Sequence, residues 1–447
     1  MPVLSRPLKD TKFTLDASGV AGFFGGEEAI SAMATVHLFK GRKLLGWYNS
    51  PGSYTIAKRF GQLAASRFWD GLFPGPNETP AVSFGLDGRL GPKYFATLSG
   101  TSMQTGHLGY LTMQRAKDEK DLIQIEGRET APSKVAFLEL KDVKYQGRVP
   151  QRDVGNALLA FIPIQTSFLA CIMCALVADW YAFAMILLGI ISSGVACLVI
   201  GSGELSLDTV KTPAPGAPPG DGMLIGDDMV IVVKGAEKDI NAITKGKFLL
   251  KLSGEPTYDP IGFCSLLLLV QFLLQLLLIP QGSLFGQIMF LASLGVSWVY
   301  NSYLSSLEKE KIQAKVLFEK LGKPDMRTFR LGTRTSMTVF ACLLLCDGME
   351  SSNGSIDPGR ILLDFISNDT QVWKRWRNKV IRQMKESTSS DSLACLELDQ
   401  DDRSHLERSD IELLATLLDD ARSAFKGYHK HLCYPNQKIT EDPVLKV

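Results

Sequence analysis

Charge is what two long stretches of this chain lack. Between Ala157 and Gly201 a single side chain, Asp179, is charged, and between Ile261 and Leu304 none is. The 447 residues sum to a net charge of +1, so nothing global points to nucleic acid or another polyanion as partner. Eight cysteines are too scattered to form a disulfide framework. Cys171 and Cys174 form a C-x-x-C inside an apolar run, where packing is the expected role. Five histidines occur, but no H-E-x-x-H and no G-x-S-x-G. Lys245 and Lys247 straddle Gly246 without phosphate-loop spacing. The HKHLC cluster (His429, His431, Cys433) alternates faces of a helix end, and the D-x-D of Asp399 and Asp401 reads as solvated linker. These absences predict a non-enzymatic chain with no catalytic residue, cofactor or metal. The N-terminus, MPVLSRPLKDTKFTLD, also lacks the apolar core of a signal peptide, which predicts that the first polar portion stays in the cytosol.

What is present are two apolar blocks, each twice the ~20 residues one membrane crossing needs. Asp179 divides the first into 22 residues on either side, with Trp180 and Tyr181 next to it. An acid in mid-bilayer is costly and such rings favour the headgroup level, so Asp179 is expected at a turn. In the second block, Pro280-Gln281-Gly282 separates residues 261–279 from 283–304. The fold class expected is an α-helical integral membrane protein with four transmembrane helices as two hairpins, plus cytosolic α+β portions. SMTVFACLLLC (336–346) is too short to cross and suits a buried strand or core helix.

Basic residues flank the blocks (Lys141, Lys144, Arg148 and Arg152 before, Lys309 to Arg334 after), and neither turn holds Lys or Arg. The positive-inside rule then places both termini and loop 204–260 in the cytosol. The sequons at Asn77, Asn353 and Asn368 are expected to stay unused on that side.

Within the spans, Gly189, Ser193, Cys197 and Gly201 recur every fourth residue and would admit a close helix neighbour. Gln271 and Gln275 share a face, and Gln287 lies in the fourth span. They suit interhelical hydrogen bonds or, alternatively, a polar path. No ionisable group lies inside a span, which argues against proton-coupled transport.

The polar portions divide into a tail (1–26), an α+β region (27–153), hairpin one (154–203), a loop with a Pro-rich linker and small β element (204–260), hairpin two (261–304), a helical region (305–385), an acidic linker (386–408) and a last helix with tail (409–447). AVSFGLDGRLGPKYFATL reads as two strands around a turn. NDTQVWKRWRNKVIRQMKES (368–387) forms a basic amphipathic helix. Trp373, Trp376, Val380 and Met384 share its apolar face, while Lys374, Arg375, Arg377, Lys379, Arg382 and Lys385 supply its charge. That face suits an anionic leaflet or a neighbouring segment such as ILLDFI (361–366). Ser409 and Glu412 suggest a capping box for the last helix, a surface for packing or a protein partner.

SSGVACLVIGSGEL, PPGDG and NDTQVWKRWR resemble stretches of uncharacterised multi-pass membrane proteins of mushroom-forming fungi, and the two-hairpin layout resembles reticulon-type shapers of tubular membranes. Composition and layout together predict a protein that anchors or organises a cytosolic assembly, in contact with the bilayer and anionic headgroups. The alternative is an oligomeric channel or facilitator for a small solute or ion using Gln271, Gln275 and Gln287.

Overall fold

The computed structural model describes residues 20–64, 66–76, 78–141, 154–208, 213–252, 258–347, 356–386 and 393–433, with Leu8 and Val143. The sequons at Asn77 and Asn353, the basic residues Lys144, Arg148 and Arg152, and Cys433's side chain lie outside them. The chain folds as two units. One comprises residues 1–88, 145–208 and 247–316, and the other 89–144, 209–246 and 317–447.

Four helices of the first unit are long and apolar enough to cross a membrane. Two of the shorter helices that precede them, Gly26–Ala34 and Ser53–Leu63, help build the site. In chain order these are α1 (Gly26–Ala34), α2 (Ser53–Leu63), α3 (Phe161–Leu176), α4 (Trp180–Ile200), α5 (Asp259–Leu278) and α6 (Leu284–Ser305). Both long hairpins reverse where the sequence places a breaker. Asp179 caps α4 by accepting from Ala182 N–H, and Ile279–Gln281 forms a tight 3₁₀ turn before Ser283 caps α6. A strand ribbon, Glu204–Leu207 with Phe248–Lys251, completes this unit.

The second unit is built on a mixed sheet of seven strands: β1 (Lys93–Ala96), β2 (Ser102–Gln104), β3 (Leu122–Gln124), β4 (Ser133–Leu140), β5 (Gly222–Ile225), β6 (Met229–Gly235) and β7 (Met326–Leu331), in the order β2-β1-β5-β6-β4-β7-β3. β4 runs parallel to β6 and antiparallel to β7. The unbroken run Met229–Val233 is wholly buried, as expected of a strand covered on both faces. α7 (Arg334–Cys346) is the core helix: Thr333 and Ser336 close a capping box, and every residue from Thr335 to Leu345 is buried. α8 (Gln371–Glu386) and α9 (Arg408–Tyr428) pack with it.

Several boundaries differ from the sequence reading. Residues 27–153 are not one body: the helical part belongs to the first unit and β1–β4 to the second. AVSF is a helical turn started by Pro80, so only the later half of that stretch is strand. Loop 204–260 is shared between the units because FLLK pairs with ELSL, not with MVIVV. The region 305–385 is not all helical, since β7 lies within it. The last helix starts at Arg408 with Glu407 as N-cap, so Ser409 caps nothing. The acidic stretch is structured: Asp399 and Asp402 close a capping box on a short helix, Gln400–His405.

Candidate functional site

The first unit differs from a water-soluble bundle on its outside, where Phe168, Leu169, Ile172, Phe263, Leu273 and Leu277 are exposed, and in its interior, where buried polar groups stand beside an apolar cluster that includes Ile186, Ile190, Phe290 and Leu294. The source of the central polarity is a segment the sequence reading left in a cytosolic region. Residues 45–52, between α1 and α2, leave helical geometry and run into the bundle among α3, α4 and α6.

Asn49 is its innermost point, with no exposed surface. Its backbone N–H donates to Ser167 Oγ of α3 at 3.0 Å, and Nδ2 donates to Ser293 Oγ of α6 at 2.8 Å. A Cβ placed on Gly189 of α4 would lie 2.0 Å from Asn49 Oδ1. Gly189 and Ser293 each stand nine residues into their helices, about 13 Å along at ~1.5 Å per residue. Asn49 therefore sits near the middle height of both.

The fourfold stripe on α4 explains how the segment enters. Gly46 lies against Cys197, whose thiol donates to the Arg42 carbonyl at 3.8 Å, and Gly201 lies against Lys43. The stripe thus receives backbone from residues 42–49. The close helix neighbour expected from its spacing is replaced there by this inserted segment. Beyond Asn49, α1 and α2 begin at the same point. Their N-caps, Gly25 (φ 68°) and Gly52 (φ 76°), take the left-handed conformation that glycine favours. A Cβ on Gly52 would lie 2.3 Å from Gly26 Cα, so the two helix N-termini touch through backbone.

Toward the end of α6, Tyr48 OH donates to Asn301 Oδ1 at 2.8 Å, and Asn301 Nδ2 donates to Ser50 Oγ at 3.2 Å. Arg42, 4% exposed, reaches Tyr48 OH. Deeper along α5, Gln271 donates to Gln275 at 3.4 Å, and Gln275 donates to the Met185 carbonyl of α4 at 3.3 Å. The result is a polar seam from Arg42 through Asn49 toward Gln275. Several of its buried atoms have no hydrogen-bond partner among the described residues, Asn49 Oδ1, Ser193 Oγ, Ser297 Oγ and Gln271 Oε1 being examples. Buried polar atoms without protein partners are where water or a small solute is held. Gln287 is not part of the seam; it donates to the Gly282 carbonyl of its own turn at 3.2 Å.

Asp179 is a structural carboxylate. Besides capping α4 it accepts from both the backbone N–H and the hydroxyl of Ser283, tying the two reversals together. Asp179→Asn removes a charge-assisted acceptor and is expected to destabilise the bundle by about 1–3 kcal/mol while leaving α3 and α4 in place. Thermal melting paired with protease mapping of the turn checks this; a changed map would show that the charge sets the threading.

Of the two roles expected for the apolar face of α8, lipid contact or packing on ILLDFI, the structure shows internal packing, with Ile361, Leu362 and Ile366 in the same core cluster as Trp376. Trp376 is fully buried and its indole N–H donates to the Leu417 carbonyl of α9 at 3.0 Å. Val372 and Val380 are buried with it, and Trp373 packs edge-on against Trp376 at 5.5 Å. Arg375 bridges Asp401 and Asp402 at 2.7 and 3.0 Å, and Lys379 bridges Asp399 and Asp402 at 2.9 and 2.8 Å. The Lys379 ammonium holds the Asp399 carboxyl low, at about 2. Lys374 pairs with Asp369, and Arg377 donates to the Asn368 carbonyl. Among the basic residues of α8, Arg382 and Lys385 are exposed and form no ion pair among the described residues. The apolar face of α8 is therefore core. The apolar face of α9 packs in the same cluster, with Leu414, Leu417, Leu418 and Phe425 buried.

Among the described residues no group of three His, Cys, Asp or Glu could hold a metal ion. Sequence reading missed Arg42, Tyr48, Asn49, Ser53 and Asn301. A usable signal existed in the GWYNSPG motif and in Ser293, Ser297 and Asn301 at i+4 spacing, which matches the stripes on α4 and α5. No protein-family model, curated protein or solved structure matches this chain.

Proposed function

We propose that this chain is a non-enzymatic, multi-pass integral membrane protein with both termini cytosolic, and that its helical unit passes a small hydrophilic solute or ion along the Asn49 seam. One observation carries the reading: a non-helical segment with a wholly buried asparagine stands at mid-height in a bundle whose outer face is apolar. Irregular backbone at membrane depth is tolerated where protein or a hydrated path satisfies it. A bundle serving only as an anchor gains nothing from polar atoms left unpaired in its centre. The seam lies within one chain, so the oligomer expected from four spans alone is not required for it. An anchoring role keeps less support, because the apolar faces of α8 and α9 pack inside the chain. Exposed Arg382 and Lys385 suit an anionic leaflet, a contact secondary to the bilayer itself.

The full-length protein in phosphatidylcholine vesicles is expected to raise permeability to glycerol or to a monovalent ion. Asn49→Leu fills the seam with an apolar side chain and is expected to remove most of that increase, as is the Gln271→Leu/Gln275→Leu pair. Equal permeability with and without folded protein would refute the reading.

A further inference from the structure

We propose that the seam prefers anions and that Arg42 sets the preference. This rests on the solute-passing reading above and names the charge class of what passes. Arg42 is 4% exposed, yet among the described residues no carboxylate pairs with it. Neutral groups hold it: Nη1 donates to the Leu45 carbonyl at 3.0 Å, Nη2 to Tyr48 OH at 3.4 Å, and the guanidinium carbon stands 5.2 Å from the centre of the Tyr300 ring. Its Nε has no hydrogen-bond partner among the described residues. A cation taken out of water without a counter-ion favours any anion that can reach it.

Two further observations point the same way. The N-termini of α1 and α2, nine and eleven residues long, meet inside the unit without side-chain caps, which turns two positive helix ends inward. Ser53, the first residue of α2, is 1% exposed and its hydroxyl has no partner among the described residues. At the Arg42 end, a cavity of about 610 Å³ opens beside the end of α4, lined in part by Lys40 and Lys43. Both ammonium groups are exposed and form no ion pair among the described residues. Gly41 and Lys43, the chain neighbours of Arg42, line it, so the cavity concentrates anions beside the segment that carries Arg42.

The opposing charges are few. Glu204 lines the cavity, Glu27 and Glu28 occupy the first turn of α1 (the former exposed, the latter half-buried), and Asp259 is exposed at the start of α5. Asp179, at the opposite end, is committed to three donors.

The test uses full-length protein in neutral vesicles, with chloride efflux, potassium efflux and glycerol entry measured separately. Chloride is expected to leave faster than potassium by about tenfold. Arg42→Gln is expected to abolish that preference, with monodisperse elution in detergent reporting an intact fold; Arg42→Lys is expected to keep part of it. Should Arg42→Gln fail to fold, Lys40→Gln/Lys43→Gln is expected to slow chloride at low ionic strength and not at high. Potassium or glycerol passing at least as fast as chloride in the wild type would overturn the anion preference and leave the solute-passing reading standing. No permeation of any probe would overturn both. A chloride preference that persists in folded Arg42→Gln would remove Arg42 from the account.

Discussion

Truncating Trp376 to alanine is expected to destabilise the sheet unit by about 3–5 kcal/mol, a large share of the 5–15 kcal/mol typical of a domain. The indole is fully buried between α8 and the core that α7 and α9 share, and its N–H satisfies the Leu417 carbonyl. The substitution therefore opens a cavity and removes a buried hydrogen bond together. Lys385→Ala on the exposed side of the same helix is expected to stay within about 0.5 kcal/mol. Urea-dependent proteolysis of the full-length chain separates the two variants. A basic helix that lay on lipid would give the reverse result: Trp376→Ala would leave stability intact and weaken vesicle binding.

The second large effect belongs to Gly189→Val. Its Cβ would stand 2.0 Å from Asn49 Oδ1 and 3.4 Å from Gln275 Nε2, so the valine and the inserted segment cannot share the site. Expulsion of Asn49 breaks its bonds to Ser167 and Ser293 and leaves both hydroxyl oxygens without that donor. Overpacking and the broken bonds together are expected to cost about 3 kcal/mol or more. Gly295→Ala on α6 is the control: no atom lies within 4 Å of its added Cβ, and it is expected to be neutral or to gain up to about 1 kcal/mol of helix propensity. Melting in detergent that leaves the two variants alike would show that Gly189 does not receive Asn49.

The four long helices and their breakers were legible because each rests on local chemistry: length against hydropathy for the spans, and an acid or Pro-Gln-Gly for the turns. The inserted segment was not legible, because residues 26–63 contain Glu27, Glu28, Lys58 and Arg59 and so fail any test of span composition. They need not pass one. α1 and α2 are each half a span, and the polarity of Asn49 is offset by serines supplied from α3 and α6. The same limit explains α8. Periodicity gave Trp373 and Trp376 one face correctly, but it cannot say what covers that face, and the covering helix α9 lies some forty residues later. The acidic stretch read as solvated linker because its partners, Arg375 and Lys379, are supplied by another element. Of the expected pore residues, Gln271 and Gln275 belong to the seam and Gln287 does not, a difference set by the tight turn at Ile279–Gln281.

Residues 45–52 are proposed to stand inside a bundle that crosses the membrane. Cysteines placed at Asn49 and Ser293, in a background with the native cysteines replaced, test it in intact membranes. Their side chains meet at 2.8 Å in the native pair, and the account predicts efficient coupling by a short thiol cross-linker, with Asn49→Cys shielded from a bulky membrane-impermeant reagent. Free reaction of Asn49→Cys with that reagent, with no coupling to position 293, would contradict it.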